Sequence, residues 1–285
     1  MVTGGGSGIG RCTAHELASL GADLALIGRK IEKLETVKEE ILRTCDVKIS
    51  LHTCDIREED RVKETVGAVL AEHGKIDHLI NNAGGQFPSP LSFINGKGWE
   101  AVVRNNLTGG FYMAREVYNQ HFMANLGKKD MSITNIIADM WNGMPGMGHS
   151  GAARAGMLNL TETASMEWAP VRVNAVAPGF IASSGMDTYP EPMKQTIMEL
   201  DKTIPLQRLG LEAEVSGVLT FLCTPAASFI SGSCIRVDGA APNARRIMNP
   251  VGSGRANPAF NSFHLGGVPE VIQRRDAARA SQNKS

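Results

Sequence analysis

The chain has 285 residues, 42% of them hydrophobic and 20% charged, a balance ordinary for a soluble globular protein with one sizeable core. Lysine plus arginine equals aspartate plus glutamate at 29 each, so no long-range positive field gathers nucleic acid or an anionic membrane, and neither is expected as a partner. The five cysteines (Cys12, Cys45, Cys54, Cys223, Cys234) are odd in number and lack CxxC spacing, which argues against a disulfide framework or a metal site and makes a reducing cytoplasm the simplest compartment.

In chain order, only Met1 and Val2 precede Thr3, where a typical strand has about five or six residues. If a glycine-rich turn follows the first strand, that strand is truncated, and the natural protein is expected to begin upstream of Met1. Short apolar runs then predict strands at Leu24 to Ile27, Lys48 to Cys54, Ile76 to Asn81, Ser132 to Ile137, Arg172 to Ala177 and Cys234 to Val237. Between them Val62, Val66, Val69 and Leu70 recur at helix spacing, as do Leu158, Thr161, Ala164 and Ser165. The alternation predicts an α/β fold: a Rossmann-like, doubly wound parallel sheet with helices on both faces. β-Branched runs this regular disfavour an all-helical bundle. From about Ala241 onward Pro, Gly, Asn, Ser and Arg dominate without apolar period, so residues 241–285 are expected to form an arm or a disordered tail beside one dinucleotide-binding domain over 1–240. No apolar run approaches the roughly 18 residues of a membrane span, and Asn283-Lys284-Ser285 does not match a peroxisomal tripeptide.

The stretch Thr3-Gly4-Gly5-Gly6-Ser7-Gly8-Ile9-Gly10 runs directly into the helical pattern Cys12 to Leu20. Glycines at Gly4, Gly8 and Gly10 let the backbone turn sharply and approach a pyrophosphate, while the helix presents free N–H groups and a positive dipole end. At the end of the second strand a free ribose 2′-hydroxyl calls for Asp or Glu. Here stand Gly28, Arg29 and Lys30, offering room and positive charge, so a 2′-phosphate fits better and NADP(H) is the expected cofactor.

Three more motifs follow in order: Asn81-Asn82-Ala83-Gly84, Asn105-Asn106-Leu107-Thr108-Gly109 and Ala177-Pro178-Gly179-Phe180-Ile181. With the glycine turn they resemble a short-chain dehydrogenase/reductase over residues 1 to about 240. The resemblance implies a seven-stranded sheet and a homotetramer in which Gly232 to Gly239 is the subunit-contact strand. It further implies that Asp55 and Ile56 flank the adenine, that Asn82, Ala83 and Gly84 line its ribose side, and that Pro178, Gly179, Ile181 and Ser183 surround the nicotinamide and diphosphate.

Members that oxidise alcohols or reduce ketones use a serine, then a tyrosine and a lysine four residues apart. In Gly148-His149-Ser150-Gly151-Ala152-Ala153-Arg154-Ala155-Gly156-Met157 one register puts Ser150 and Arg154 at those last two positions, and the neighbouring register puts His149 and Ala153 there. The upstream serine position falls on Ile137 or Ala138, with Asp139 the nearest polar side chain. A serine hydroxyl is a far weaker acid than a phenol of pKa about 10, so ordinary carbonyl reduction loses its proton donor.

Hydride delivery to the β-carbon of an α,β-unsaturated thioester escapes that need, because hydrogen-bond donors can hold the enolate oxygen while carbon is protonated later. The segments Asn81 to Pro90 and His149 to Gly156 resemble the peroxisomal trans-2-enoyl-CoA reductase branch, and more loosely the 2,4-dienoyl-CoA reductases. That resemblance assigns Asn106 to an ordered water or the thioester oxygen, Ser150 to the enolate, Arg154 to the cofactor ribose, and His149 or Asp139 to later proton delivery. Met140, Trp141, Met144, Met147 and Tyr189 are candidates for an adaptable apolar wall along the acyl chain of an acyl-CoA. Two other readings remain open: an NADP-dependent alcohol or aldehyde dehydrogenase acting on an apolar alcohol such as citronellol, and a cofactor-binding pseudoenzyme.

Overall fold

A computed structural model of the chain describes residues 1–188, 191–244, 257–260 and 268–282. In chain order its elements are β1 (Val2–Thr3), α1 (Gly8–Ser19), β2 (Leu24–Gly28), α2 (Ile31–Leu42), β3 (Ile49–Thr53), α3 (Glu59–His73) and β4 (His78–Asn81), then α4 (Gly96–Val103), α5 (Gly109–Val117), β5 (Ser132–Ile136), α6 (Gly148–Glu167) and β6 (Arg172–Pro178). β7 (Ile181–Ala182), α7 (Glu191–Met198), β8 (Gly210–Leu211), α8 (Glu212–Leu222), β9 (Cys234–Val237) and α9 (Glu270–Gln282) complete the set.

Seven strands pair in the order β3-β2-β1-β4-β5-β6-β9, and every ladder is parallel. The predicted strands hold to within two residues at either end. β1, despite its two residues, lies mid-sheet, pairing Val2 with Leu26 on one side and with Ile80 on the other. The order reverses between β1 and β4, which opens a crevice at the carboxyl ends of these strands. β7 and β8 form a separate two-stranded parallel ribbon that no apolar run announced.

The strands alternate their apolar side chains between two cores, as a pleat of period two requires. Leu24, Leu26 and Ile80 bury with Leu34, Val37 and Ile41 of α2 and Val215, Leu219 and Leu222 of α8. Ala25, Ile27 and Leu79 bury on the opposite face with Val62, Val66 and Val69 of α3 and Met113 and Val117 of α5. Each such side chain contributes about 1.5–3 kcal/mol. A single Ile27→Ala change is expected to cost about 2–5 kcal/mol. α3 ends at Gly74, which takes φ +72° and returns its N–H to the Leu70 carbonyl, a left-handed cap that glycine adopts without strain. On α6 the buried stripe is Ala153, Met157, Thr161 and Ala164, so Leu158 and Ser165 of the expected stripe sit at its margin.

Residues 241–285 contain a helix that their composition did not announce. α9 lacks an apolar period because only Val271 and Ile272 bury, against Met186, Ile197, Ile204 and Leu209. Charged and capping contacts do the rest of the docking. Among the described residues no helix is long and apolar enough to cross a membrane.

Candidate active site

The turn between β1 and α1 is held by its own backbone and by one asparagine. Gly4 and Gly8 adopt φ +67° and +58°, conformations that favour glycine. The Asn82 side chain donates to the Thr3 carbonyl at 2.9 Å, while the Thr3 hydroxyl accepts from the backbone N–H of Asn82 and Ala83 at 3.0 and 2.9 Å. A Cβ on Gly10 would stand 2.4 Å from the Gly4 carbonyl oxygen and 2.5 Å from Asn82 Nδ2, so only glycine permits this closeness. Ser7, at the head of α1, makes no side-chain cap, and the first turn carries no acidic residue. The free N–H groups and positive end of α1 therefore suit a diphosphate.

A cleft of about 670 Å³ opens beside this turn, lined by Gly4, Gly6 and Ser7, by Gly28 to Lys30 with Lys33, by Cys54 to Ile56, and by Asn82 to Gly84. It brings together eight of the seventeen residues expected to hold the dinucleotide, namely Gly4, Arg29, Lys30, Asp55, Ile56, Asn82, Ala83 and Gly84, and adds Lys33 from the first turn of α2. Thr3, Gly8, Ile9 and Gly10 shape the turn without lining the cleft. The Arg57 guanidinium grips the Asp55 carboxylate, with Nε 2.9 Å from Oδ1, and holds its carboxyl below the ordinary range. Asp55 thus adds little net negative charge near Arg29 and Lys30.

Deeper in, a buried polar chain ties strands to helix. Asn81 Nδ2 donates to the Gly110 carbonyl at 3.0 Å and to Asn135 Oδ1 at 2.9 Å, and Asn135 Nδ2 donates to the Thr161 hydroxyl at 2.9 Å. β4 and β5 pair Asn81 with Asn135 in register, which is why two residues far apart in sequence meet. Asn106 sits in a π-helical turn, Arg104–Thr108, between α4 and α5. Such turns re-aim side chains and recur at functional sites. Its amide is committed to one peptide: Oδ1 accepts from Gly85 N and Nδ2 donates to Gly85 O, both at 2.9 Å. Asn106 thereby anchors the Gly84-Gly85 backbone, and each amide atom keeps a second hydrogen-bonding position toward a water or a substrate.

Arg154 meets the same backbone. A Cβ on Gly84 would lie 2.5 Å from Arg154 Nη2 and 2.7 Å from Asn106 Oδ1, so the glycine makes room for the guanidinium. Arg154 Nη1 donates to the Ile136 carbonyl, and buried Nε has no partner among the described residues. Burial pulls its pKa down to about 10. A buried donor left unpaired costs about 1–3 kcal/mol, so this group suits the hydroxyls of a bound ligand.

Ser150 is fully buried, and its hydroxyl reaches Gln86 Oε1 at a long 3.5 Å. Its backbone N–H donates to His149 Nδ1 at 2.9 Å, which puts the proton of a neutral ring on Nε2. That Nε2 is buried without a partner among the described residues, and the Phe87 ring meets the imidazole edge-on at 4.7 Å. The structure therefore sets His149 beneath Phe87, away from solvent. Asp139 donates its N–H to the Pro178 carbonyl at 3.0 Å; burial, then the Asp238 charge, push its carboxyl above the usual range.

Gly179 packs against Asp238, where a Cβ would lie 2.7 Å from the Asp238 Cα. Pro178 ends β6, Ile181 is buried in β7 and Ser183 follows it, all beyond the 670 Å³ cleft. Of the apolar wall, Met140 and Trp141 pack against the buried cluster of Ile137, Met157, Ala175 and Ala177, and Met144 lies over Gly151. Met147 precedes α6 and donates its N–H to the Met144 carbonyl, closing the loop. Tyr189 lies outside the described residues.

A profile of the family described as "Enoyl-(Acyl carrier protein) reductase" matches residues 4–240. A probable 2,4-dienoyl-CoA reductase of Bacillus subtilis (strain 168) is 33% identical over 243 residues, covering 84% of this chain and 94% of the relative. A 3-oxoacyl-(acyl-carrier-protein) reductase of Staphylococcus epidermidis is 34% identical over 84% of this chain and 96% of its own. The structure of a citronellol catabolism dehydrogenase (AtuB) from Pseudomonas aeruginosa PAO1 is 56% identical with a TM-score of 0.74, covering 85% of this chain and 93% of that one. Matches this long, over a sheet that reverses its order beside a glycine-rich turn, make the chain a member of the short-chain dehydrogenase/reductase family of NAD(P)(H)-dependent oxidoreductases.

Proposed function

We propose that the protein is an NADPH-dependent reductase of α,β-unsaturated acyl-CoA thioesters, of the trans-2-enoyl-CoA type. The observation that carries this reading is the start of α6, His149 to Arg154, which offers neither the phenol nor the ammonium of a carbonyl reductase in either register. Of the three tyrosines, Tyr112 and Tyr118 pack against the core beside α3 and α5, and Tyr189 is not among the described residues. The 33% identical dienoyl-CoA reductase points to the same class of substrate.

The dinucleotide, held by the glycine turn and by Arg29, Lys30 and Lys33, would supply the hydride for the β-carbon. The residues of the chain prepare the other end of the conjugated system. Ser150 donates to the thioester oxygen, exchanging its long contact with Gln86 for a shorter bond as charge gathers there. Arg154 holds the cofactor ribose through its unpaired face and keeps the local potential positive. Asn106 acts one step back, fixing the Gly84-Gly85 peptide that borders the guanidinium. Asp139, whose carboxyl is raised above the usual range by burial and then by the Asp238 charge, passes a proton from solvent to the α-carbon. Gly28 leaves room for a 2′-phosphate, and Arg29, Lys30 and Lys33 oppose its charge. The Met140 to Met147 loop receives the acyl chain. A homotetramer belongs to the same proposal, since β9 stands at one edge of the sheet with its outer side unpaired.

The 56% identity to a citronellol catabolism dehydrogenase favours a second reading, oxidation of an apolar alcohol. The two separate in one assay of purified protein: NADPH with crotonyl-CoA and trans-2-decenoyl-CoA, then NADP⁺ with citronellol. The proposal expects thioester-dependent NADPH loss, falling at least tenfold in Ser150→Ala. Turnover with the alcohol alone defeats it, and NADPH binding with no turnover on either leaves a cofactor-binding pseudoenzyme.

A further inference from the structure

α9 lies beyond the residues that match the family profile, and its contacts converge on one stretch of chain. That stretch, described over 184–188 and 191–204, leaves the carboxyl end of β6 through Gly179, Phe180 and β7, at the end of the sheet where the crevice opens. Pro178 at its root is bonded to Asp139 of the Met/Trp loop.

The grip has three parts. Asp187 caps the start of α9: Oδ2 accepts from Glu270 N at 3.2 Å and Oδ1 from Val271 N at 3.1 Å. Within the first turn, Val271 and Ile272 bury among Met186, Ile197, Ile204 and Leu209. Two turns later, Arg279 forks onto the buried carboxylate of Asp201 at 2.5 and 3.2 Å, and Arg275 Nη1 lies 3.3 Å from the same carboxylate. Arg279 also donates to the Met198 carbonyl at 3.3 Å, at the end of α7. A helix with two buried apolar residues gains little from burial alone. Charge-assisted, forked bonds to one buried acid supply direction as well as energy. They hold both ends of the stretch: Asp187 near its beginning and Asp201 near its close.

We infer that α9 is an intramolecular clasp that positions residues 184–188 and 191–204 beside the substrate end of the crevice, with Asp187 and Asp201 as positioning residues that set affinity for the organic part of the substrate. Its effect on affinity rests on the proposed thioester reduction; its effect on the mobility of the stretch does not.

The test compares full-length wild type with R275A/R279A and with Asp201→Asn by hydrogen exchange and steady-state kinetics. In R275A/R279A, exchange in residues 191–204 rises at least tenfold while α1, α3 and β1 to β5 stay unchanged. KM for trans-2-decenoyl-CoA rises at least fivefold, and KM for NADPH moves less than twofold. Asp201→Asn, which keeps the shape and one acceptor, falls between the two. Should wild type oxidise only citronellol, the same KM comparison is made with citronellol. Should it turn over neither probe, the functional reading has failed and the exchange profile alone decides the clasp. Unchanged exchange in 191–204, loosening spread across the sheet, or an unaltered KM in an active enzyme with a loosened stretch overturns the inference.

Discussion

Arg154 reaches from the second turn of α6 to the carbonyl oxygen of Ile136 at the end of β5, and no carboxylate accompanies it among the described residues. A buried cation without a counterion is a cost to the fold that only a bound partner offsets. Arg154→Met keeps the apolar stem and deletes the charge. Without cofactor this variant is expected to be as stable as wild type or more so, by about 1–3 kcal/mol. Its NADPH affinity drops at least tenfold. Thermal melts with and without NADPH read both numbers; a variant destabilised in both states would mean that the guanidinium is a structural pillar.

Gly10 and Gly21 make a matched pair at the two ends of α1. A Cβ at Gly10 collides with the Gly4 carbonyl and the Asn82 amide, whereas Gly21 has nothing within 4 Å and only its φ of +83° to strain. Gly21→Ala is therefore expected to cost about 1 kcal/mol and leave NADPH binding intact. Gly10→Ala forces the turn apart, lowering NADPH affinity more than tenfold beyond any loss of stability. Equal binding by the two variants, measured by NADPH fluorescence titration, would remove the β1–α1 turn from the cofactor site.

On the proposed reading, cofactor choice turns on Arg29 and Lys30, which line the cleft. Arg29→Asp replaces a partner for phosphate with one for a free hydroxyl pair, the exchange that separates the two dinucleotides. The ratio of NADPH to NADH affinity is expected to fall about 100-fold, close to 3 kcal/mol, the order of one charge-assisted hydrogen bond lost and a repulsion gained. Titrations of both reduced cofactors check it, and an unchanged ratio would place the discrimination elsewhere.

The parts of this molecule legible from sequence are those with local causes. Leu24 to Ile27 reads as a buried strand because its residues serve two cores, Leu24 and Leu26 facing one and Ala25 and Ile27 the other. The glycine turn reads equally well, since its closeness is written in residues a few positions apart. Asn106 stands in a motif visible in the sequence, yet its attachment to Gly85 depends on a π-helical turn that no period announces. The bond between Asn81 and Asn135 follows from strand register, and Lys33 joins the cleft through tertiary packing. α9 escaped because two apolar residues make no stripe and its partners, Asp187 and Asp201, lie about seventy residues or more upstream.

His78 supplies a prediction about pH. Its Nδ1 meets the Ser132 hydroxyl at 2.9 Å on the neighbouring strand, and burial, aided by nearby positive charge, lowers its pKa from 6.5 to about 4. A histidine lowered in the native state takes up its proton first in the unfolded chain. Its contribution is complete above pH 6.5 and is lost as pH falls from 6.5 to 4, at most about 3 kcal/mol for a shift of this size. His15, His52, His73 and His121 are lowered by burial as well and act in the same direction as pH falls below the ordinary histidine value. Carboxylates held low by arginines, such as Asp130 beside Arg172, lose their contribution only below the ordinary carboxylate pKa. Urea unfolding at pH 7, 5.5 and 4.5 should therefore show stability falling before the carboxylates titrate. His78→Asn should flatten that fall while leaving the drop below pH 4 in place, because the remaining acid sensitivity belongs to the carboxylates. An identical slope in the variant would mean that His78 titrates alike in the folded and unfolded chain.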